Sequence, residues 1–157
     1  MLITLPELEA LLPSASQWFA HMEADALQRG EPLNLQELGF TKTIGIKLPE
    51  KIRLLKVDAI PHPADSALAY AAEQIGLSGV NTVGRTFRYG IYVRSDRWRD
   101  IEIVAHELAH THQYERLGGI LPFLRQYVSE CRAFGYSNSP LELEAKAIEK
   151  RLTGRNL

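Results

Sequence analysis

The chain has 157 residues, 45% of them apolar, which is enough for one domain with a buried core. Its 18 basic and 19 acidic residues leave a net charge of −1, so global charge points neither to nucleic acid nor to an anionic membrane surface. The lone cysteine, Cys131, excludes an internal disulfide, and no apolar run approaches membrane-spanning length. Residues 1–7 lack the basic and apolar stretches of a signal peptide, so the expected setting is the cytoplasm, with signal-independent export as the other route.

Thr4-Leu5-Pro6-Glu7 has the form of a capping box, and the short helix it opens is expected to end near Leu12-Pro13. A second helix is expected from Ser14 or Ser16 to Arg29, with Ala15, Phe19, Met22 and Ala26 on one face. His21 within it reads as a surface residue. Asn34-Leu35-Gln36-Glu37 repeats the capping signature, with a stop expected at Gly39. Ile44, Ile46 and Leu48 then alternate with polar or small residues, and Ile52 to Val57 reads as a strand. Pro61-His62-Pro63 is a stiff loop in which His62 is expected to be solvated. Ala64 to Ile75 is helical in composition, and Gly76 ends it.

A turn is expected from Asn81 to Gly84, followed by a strand from Thr86 to Arg94. Strict alternation places Phe87, Tyr89, Ile91 and Val93 on one face of that strand and Arg88, Tyr92 and Arg94 on the other. Arg85, Arg88, Arg94, Arg97 and Arg99 form a local basic cluster. It reads first as a solvated face and second as a surface for acidic peptide or phosphate groups.

The next helical run, from Ile101 to a stop at Gly118-Gly119, contains His106-Glu107-Leu108-Ala109-His110. Four helical residues advance about 40° beyond one turn, so both imidazoles share a face one turn apart. Neutral imidazoles at this spacing form half of a zinc site. Glu107 lies about 100° around the helix, placed to act on a water rather than to ligate. His112 is rotated about 200° from His110 and is rejected as a ligand. Gln113 returns to the ligand face, where it either bonds a ligand or the substrate backbone or simply packs.

Pro122 opens a further helix through about Ala133, with Phe123, Leu124, Tyr127, Val128 and Cys131 as its apolar stripe. Cys131 on that stripe reads as a packed thiol rather than a nucleophile. The last helix is expected from Leu141 to Leu152, with Ala145, Ile148 and Leu152 facing inward.

A catalytic zinc site needs three protein ligands and one open position. The best stretch for the third is Ser139 to Ala147, which holds Glu142 and Glu144. Ser139-x-x-Glu142 is also a capping box, so one carboxylate has two competing uses. Glu144 lies slightly nearer the apolar stripe and is the alternative ligand. Tyr114, Tyr127 and Tyr136 are unranked candidates for stabilising an oxyanion.

His106-Glu107-Leu108-Ala109-His110, Gln113-Tyr114-Glu115-Arg116-Leu117-Gly118 and Pro140-Leu141-Glu142-Leu143-Glu144-Ala145 together resemble the gluzincin branch of zinc metallopeptidases. Within it they look most like a group of uncharacterised bacterial metallopeptidase-like domains. The resemblance covers about the second half of the chain. It implies that Glu142 is the third zinc ligand beside His106 and His110, and that Glu107 is the general base. The sequence departs from the pattern at Lys146, where such families often have an Asp that holds a zinc-bound His. A lysine cannot accept that bond, which leaves the task to another carboxylate, such as Glu144, or to a backbone carbonyl, or leaves a weaker site.

The expected architecture is α+β and zincin-like, one domain over residues 1–157. A small sheet has its edge strand, at Phe87 to Arg94, above the helix bearing the two histidines, and two further helices follow. The expected function is a zinc-dependent peptidase acting on a peptide or protein, bound as an added strand. The alternative is a non-catalytic zinc-binding or partner-binding module derived from one. A third reading is an effector or toxin with one narrow protein substrate.

Overall fold

The structure, a computed structural model, describes residues 2–77 and 82–154. Asn81, where a turn was expected to begin, lies outside them. Helix α1 (Leu5–Arg29) starts where Thr4 accepts the Glu7 N–H at 3.2 Å. It is a single helix of 25 residues, not two, and Pro13 lies inside it. An interior proline costs about 3 kcal/mol of helix stability. Burial on both sides offsets it: Leu8, Leu12, Ala15 and Phe19 all pack into one cluster with Phe123 and Leu124.

Helix α2 (Leu35–Ile44) opens with the expected box, Glu37 N–H to Asn34 Oδ1 and Asn34 N–H to Glu37 Oε1, both 2.9 Å. It runs through Gly39 rather than stopping there. Gly39 is exposed, so it costs only helix propensity, about 1 kcal/mol, and Phe40 beside it is buried. The stop is Gly45, whose φ of 97° suits glycine. The alternation of Ile44, Ile46 and Leu48 therefore belongs to a helix end and a loop.

Strands β1 (Glu31–Pro32), β2 (Arg53–Val57), β3 (Gly84–Phe87) and β4 (Gly90–Arg94) form a mixed sheet in the order β1-β2-β4-β3. Strand β2 runs parallel to β4, and helix α3 (Ser66–Gln74) lies in the connection between them. The stretch from Thr86 to Arg94 is a hairpin, not one strand: Phe87 pairs with Gly90 across an Arg88-Tyr89 turn. Arg88 there adopts φ 61°. The turn is held from a distance. Glu23 on α1 accepts two guanidinium bonds from Arg88 at 2.8 Å and the Tyr89 N–H at 3.0 Å. Thr111 donates to the Arg88 carbonyl at 2.6 Å. Reversal at the turn moves Phe87 onto the same side as Tyr92, and it makes Gly84–Phe87 the edge while β4 is interior.

Helix α1 covers one sheet face, packing Trp18, Met22 and Ala26 on Leu55, Phe87 and Tyr92. Helix α4 (Ile101–Leu117) covers the other, packing Val104, Ala105 and Leu108 on Leu54, Ile91 and Val93. Helices α5 (Ile120–Phe134) and α6 (Pro140–Thr153) then dock on α1 and α4 respectively, completing an α+β architecture. Cys131 is buried on α5, and burial pushes its thiol up to about 12, as a packed thiol requires. No helix among the described residues is long and apolar enough to cross a membrane.

Gly90 is where α1 seats on the sheet. A Cβ there would lie 2.8 Å from Ala26 Cβ and 3.1 Å from Glu23 Cα. Gly90→Ala should therefore lower stability by about 1–3 kcal/mol in urea unfolding. An unchanged midpoint would show that α1 does not approach the sheet so closely.

Candidate metal centre

Helix α4 begins at Asp100, whose Oδ1 accepts the Glu102 N–H at 3.0 Å, and ends at Gly118 with φ 103°. Beside the residues that face the sheet, Ala109 meets Ala145 and Ile148 of α6. Ala109 and Ala145 are both fully buried. Two methyl side chains at the crossing let the helices approach closely, and this brings a carboxylate of α6 to the histidines of α4.

That carboxylate is Glu142. The capping role that competed for it is not used. The Leu141 N–H at the start of α6 is taken by Glu130 of α5 at 2.9 Å, and Ser139 donates to the Tyr136 carbonyl. Glu142 is thus free to turn inward, and it is 1% exposed. Its Oε1 lies 3.0 Å from His106 Nε2 and its Oε2 lies 2.9 Å from His110 Nε2. Tyr127 donates to Oε2 at 2.5 Å.

The outer nitrogen of each ring is also held. His110 Nδ1 lies 2.8 Å from Gln113 Oε1. The Gln113 amide in turn donates to the Leu141 carbonyl at 2.9 Å and to Glu144 at 2.8 Å, so its oxygen must face the ring. His110 then has its proton on Nδ1 and presents Nε2 inward. His106 Nδ1 lies 3.1 Å from Glu149 Oε1. Glu149 stands two helical turns after Glu142, on the same face of α6. It supplies the carboxylate that Lys146 cannot, while Lys146 reaches the Ser137 carbonyl at 3.4 Å. Sequence reasoning missed Glu149; its seven-residue spacing from Glu142 was the available signal. Glu144 is not in the cluster: it bonds Gln113 and, at 3.0 Å, Arg116.

His106, His110 and Glu142 therefore form a group that can hold a metal ion, with one donor atom from each lying within 4.8 Å of the others. Metal–donor bonds of about 2.0–2.2 Å put tetrahedral neighbours roughly 3.3–3.6 Å apart, a spacing inside the 4.8 Å limit on these donors. Glu142 and the two rings stabilise one another's charged forms. Burial opposes the charged form of His106, but its bonds to Glu142 and Glu149 outweigh this and raise it to about 10. Burial likewise opposes charge on Glu142, yet His110 and the bonds from both rings hold its carboxyl well below the usual range. His112, by contrast, lies outside this group, with a buried Nδ1 that has no hydrogen-bond partner among the described residues. His21 and His62 are exposed.

Glu107 stands beside the donors and outside the set. Its Oε1 accepts from Thr86 of the edge strand at 2.8 Å. It lines two cavities. One is a cleft of about 440 Å³ shared with His106, Gly84 and Glu149. The other is a pocket of about 60 Å³ shared with His110, Glu142, Phe19 and Leu124. The three tyrosines differ in burial and partners. Tyr114 is fully buried and donates to the Thr86 carbonyl at 3.0 Å, and Tyr127 is engaged by Glu142. Tyr136 lines both cavities and is 39% exposed.

Removing an outer carboxylate that orients a ligand typically costs 10–100-fold in metal affinity. Glu149→Ala should show a loss of this size in zinc-chelator competition, whereas Lys146→Ala should change affinity less than about twofold. Equal affinities for the two variants would remove Glu149 from this role.

No family model, curated protein or solved structure matches this chain.

Proposed function

We propose that this protein is a zinc-dependent peptidase of the zincin-like, gluzincin type. One observation carries the reading: two imidazoles and a carboxylate converge within 4.8 Å while a further carboxylate, Glu107, lines the adjoining cleft without joining them. Two histidines and a glutamate are a known donor set for catalytic zinc, which leaves one position open. Zinc bound there supplies Lewis acidity, polarising a carbonyl and lowering the pKa of a water.

The chain's own residues then divide the work. Glu107 takes a proton from the attacking water and delivers it to the departing amine. Thr86 fixes one of its carboxylate oxygens, and the other is left for the proton. Tyr136 lines both cavities, which supports it as the donor to the oxygen on which negative charge develops. Among the described residues strand β3 pairs with β4 alone, so its outer edge suits an extended peptide added as a further strand.

The alternative, a non-catalytic zinc- or partner-binding module, drew on Lys146. Glu149 now stands in the place of the missing carboxylate, and a structural zinc site has no use for a base at Glu107. The test is metal analysis and peptide cleavage together. Glu107→Gln should keep about one zinc per chain and lose about a thousandfold in kcat/KM. Zinc in both proteins with cleavage by neither, across a broad peptide library, would favour the module. Tyr136→Phe should lower kcat about a hundredfold with KM little changed; loss in KM alone would give Tyr136 a binding role.

A further inference from the structure

The five arginines clustered between Arg85 and Arg99 do not form one surface. Arg88 pairs with Glu23, Arg94 with Asp96, Arg97 with Asp100 and Arg99 with Glu37. Among the described residues Arg85 makes no ion pair. Its hydrogen bond runs from Nη2 to the Leu77 carbonyl at 2.9 Å. A guanidinium has five N–H donors, so this one bond to protein leaves others for a group in the cavities that Arg85 lines.

Its position makes that spare capacity informative. Arg85 lies on the edge strand opposite Tyr92, one residue before the Thr86 that holds Glu107. The side chain is half-buried. It lines the 60 Å³ pocket together with Glu107, His110 and Glu142, and it also lines the outer cleft. The other walls of the pocket include Phe19, Phe123 and Leu124. Arg85 is the only lysine or arginine among the described residues lining that pocket. Glu107 shares the pocket but lies beyond ion-pair distance. A second, apolar pocket of about 80 Å³ adjoins through Phe19, Leu77, Arg85 and Leu124.

A half-buried guanidinium in the wall of a pocket is a ready partner for an anion that enters it. The planar fork of a guanidinium matches a carboxylate through two parallel hydrogen bonds. We propose that Arg85 binds a carboxylate of the substrate beside the bond to be cleaved, making the chain selective for peptides that present one in this pocket. This rests on the peptidase reading above. The carboxylate has two sources: the free C-terminus of a peptide, or the side chain of an acidic residue within it. Arg85 is a specificity-determining residue on this account, not a participant in proton transfer.

The test compares three substrates on the zinc-loaded protein: an acetylated peptide ending in a free leucine carboxylate, its C-terminal amide, and an amidated peptide with an internal glutamate. A carboxylate-bearing peptide should exceed the plain amide in kcat/KM by tenfold or more, mainly through KM. The free acid leading assigns the C-terminus as the source; the glutamate peptide leading assigns the side chain. Arg85→Gln should bring the ratio to about one, and Arg85→Lys, which keeps charge but not the fork, should retain part of it. A wild-type ratio near one, or a ratio that survives in Arg85→Gln, overturns the proposal. Calorimetric titration of zinc-loaded Glu107→Gln with the same peptides separates the two readings. Tenfold tighter binding of a carboxylate peptide, lost on adding Arg85→Gln, supports the carboxylate site even if no peptide is cleaved. Equal binding of all three peptides overturns it.

Discussion

A single carboxylate gripped between two imidazoles organises this protein. Glu142 is almost wholly removed from water, and a buried charge of this kind persists only with partners on its oxygens. It has three: His106 on one oxygen, His110 and Tyr127 on the other. Every partner comes from a different turn or a different helix. The arrangement therefore exists only when α4, α5 and α6 are assembled. The small side chains at Ala109 and Ala145 set the distance between α4 and α6, and Glu130 caps α6 so that Glu142 need not.

The polar network around this point is satisfied outward as well. Gln113 passes the constraint from His110 to the Leu141 carbonyl and to Glu144, which Arg116 then holds near the surface. Glu149 does the same for His106 in one step. Rings locked from behind present their inner nitrogens in a fixed direction, so a cation meets a site whose ordering cost is already met by folding.

The helix that supplies the histidines also grips the edge strand. Thr86 reaches Glu107, Tyr114 reaches the Thr86 carbonyl, and Thr111 reaches the Arg88 carbonyl. Three hydroxyls thus tie α4 to the β3–β4 hairpin along its length. From the other face, Glu23 of α1 clamps the turn of the same hairpin. The cleft wall is consequently a strand braced by two helices, and its left-handed Arg88 is held by these partners rather than by intrinsic preference.

Local physics made part of this legible in the sequence alone. The His106–His110 spacing places two rings on one face of any helix, and Asn34–Glu37 closes its capping box without help from elsewhere. The apolar stripe of Phe123, Leu124, Tyr127 and Cys131 is likewise a property of one helix. Other features were decided by tertiary contact. Pro13 and Gly39 look like breaks, yet burial of their neighbours carries each helix through. The Arg88-Tyr89 turn depends on a carboxylate 65 residues away, so alternation across it misled. Whether Glu142 capped its own helix or faced the histidines, and whether Glu149 or Glu144 completed His106, turned on how α6 docks. Periodicity reports which face of a helix is apolar, but not which neighbour that face will meet, and the site is made of such meetings.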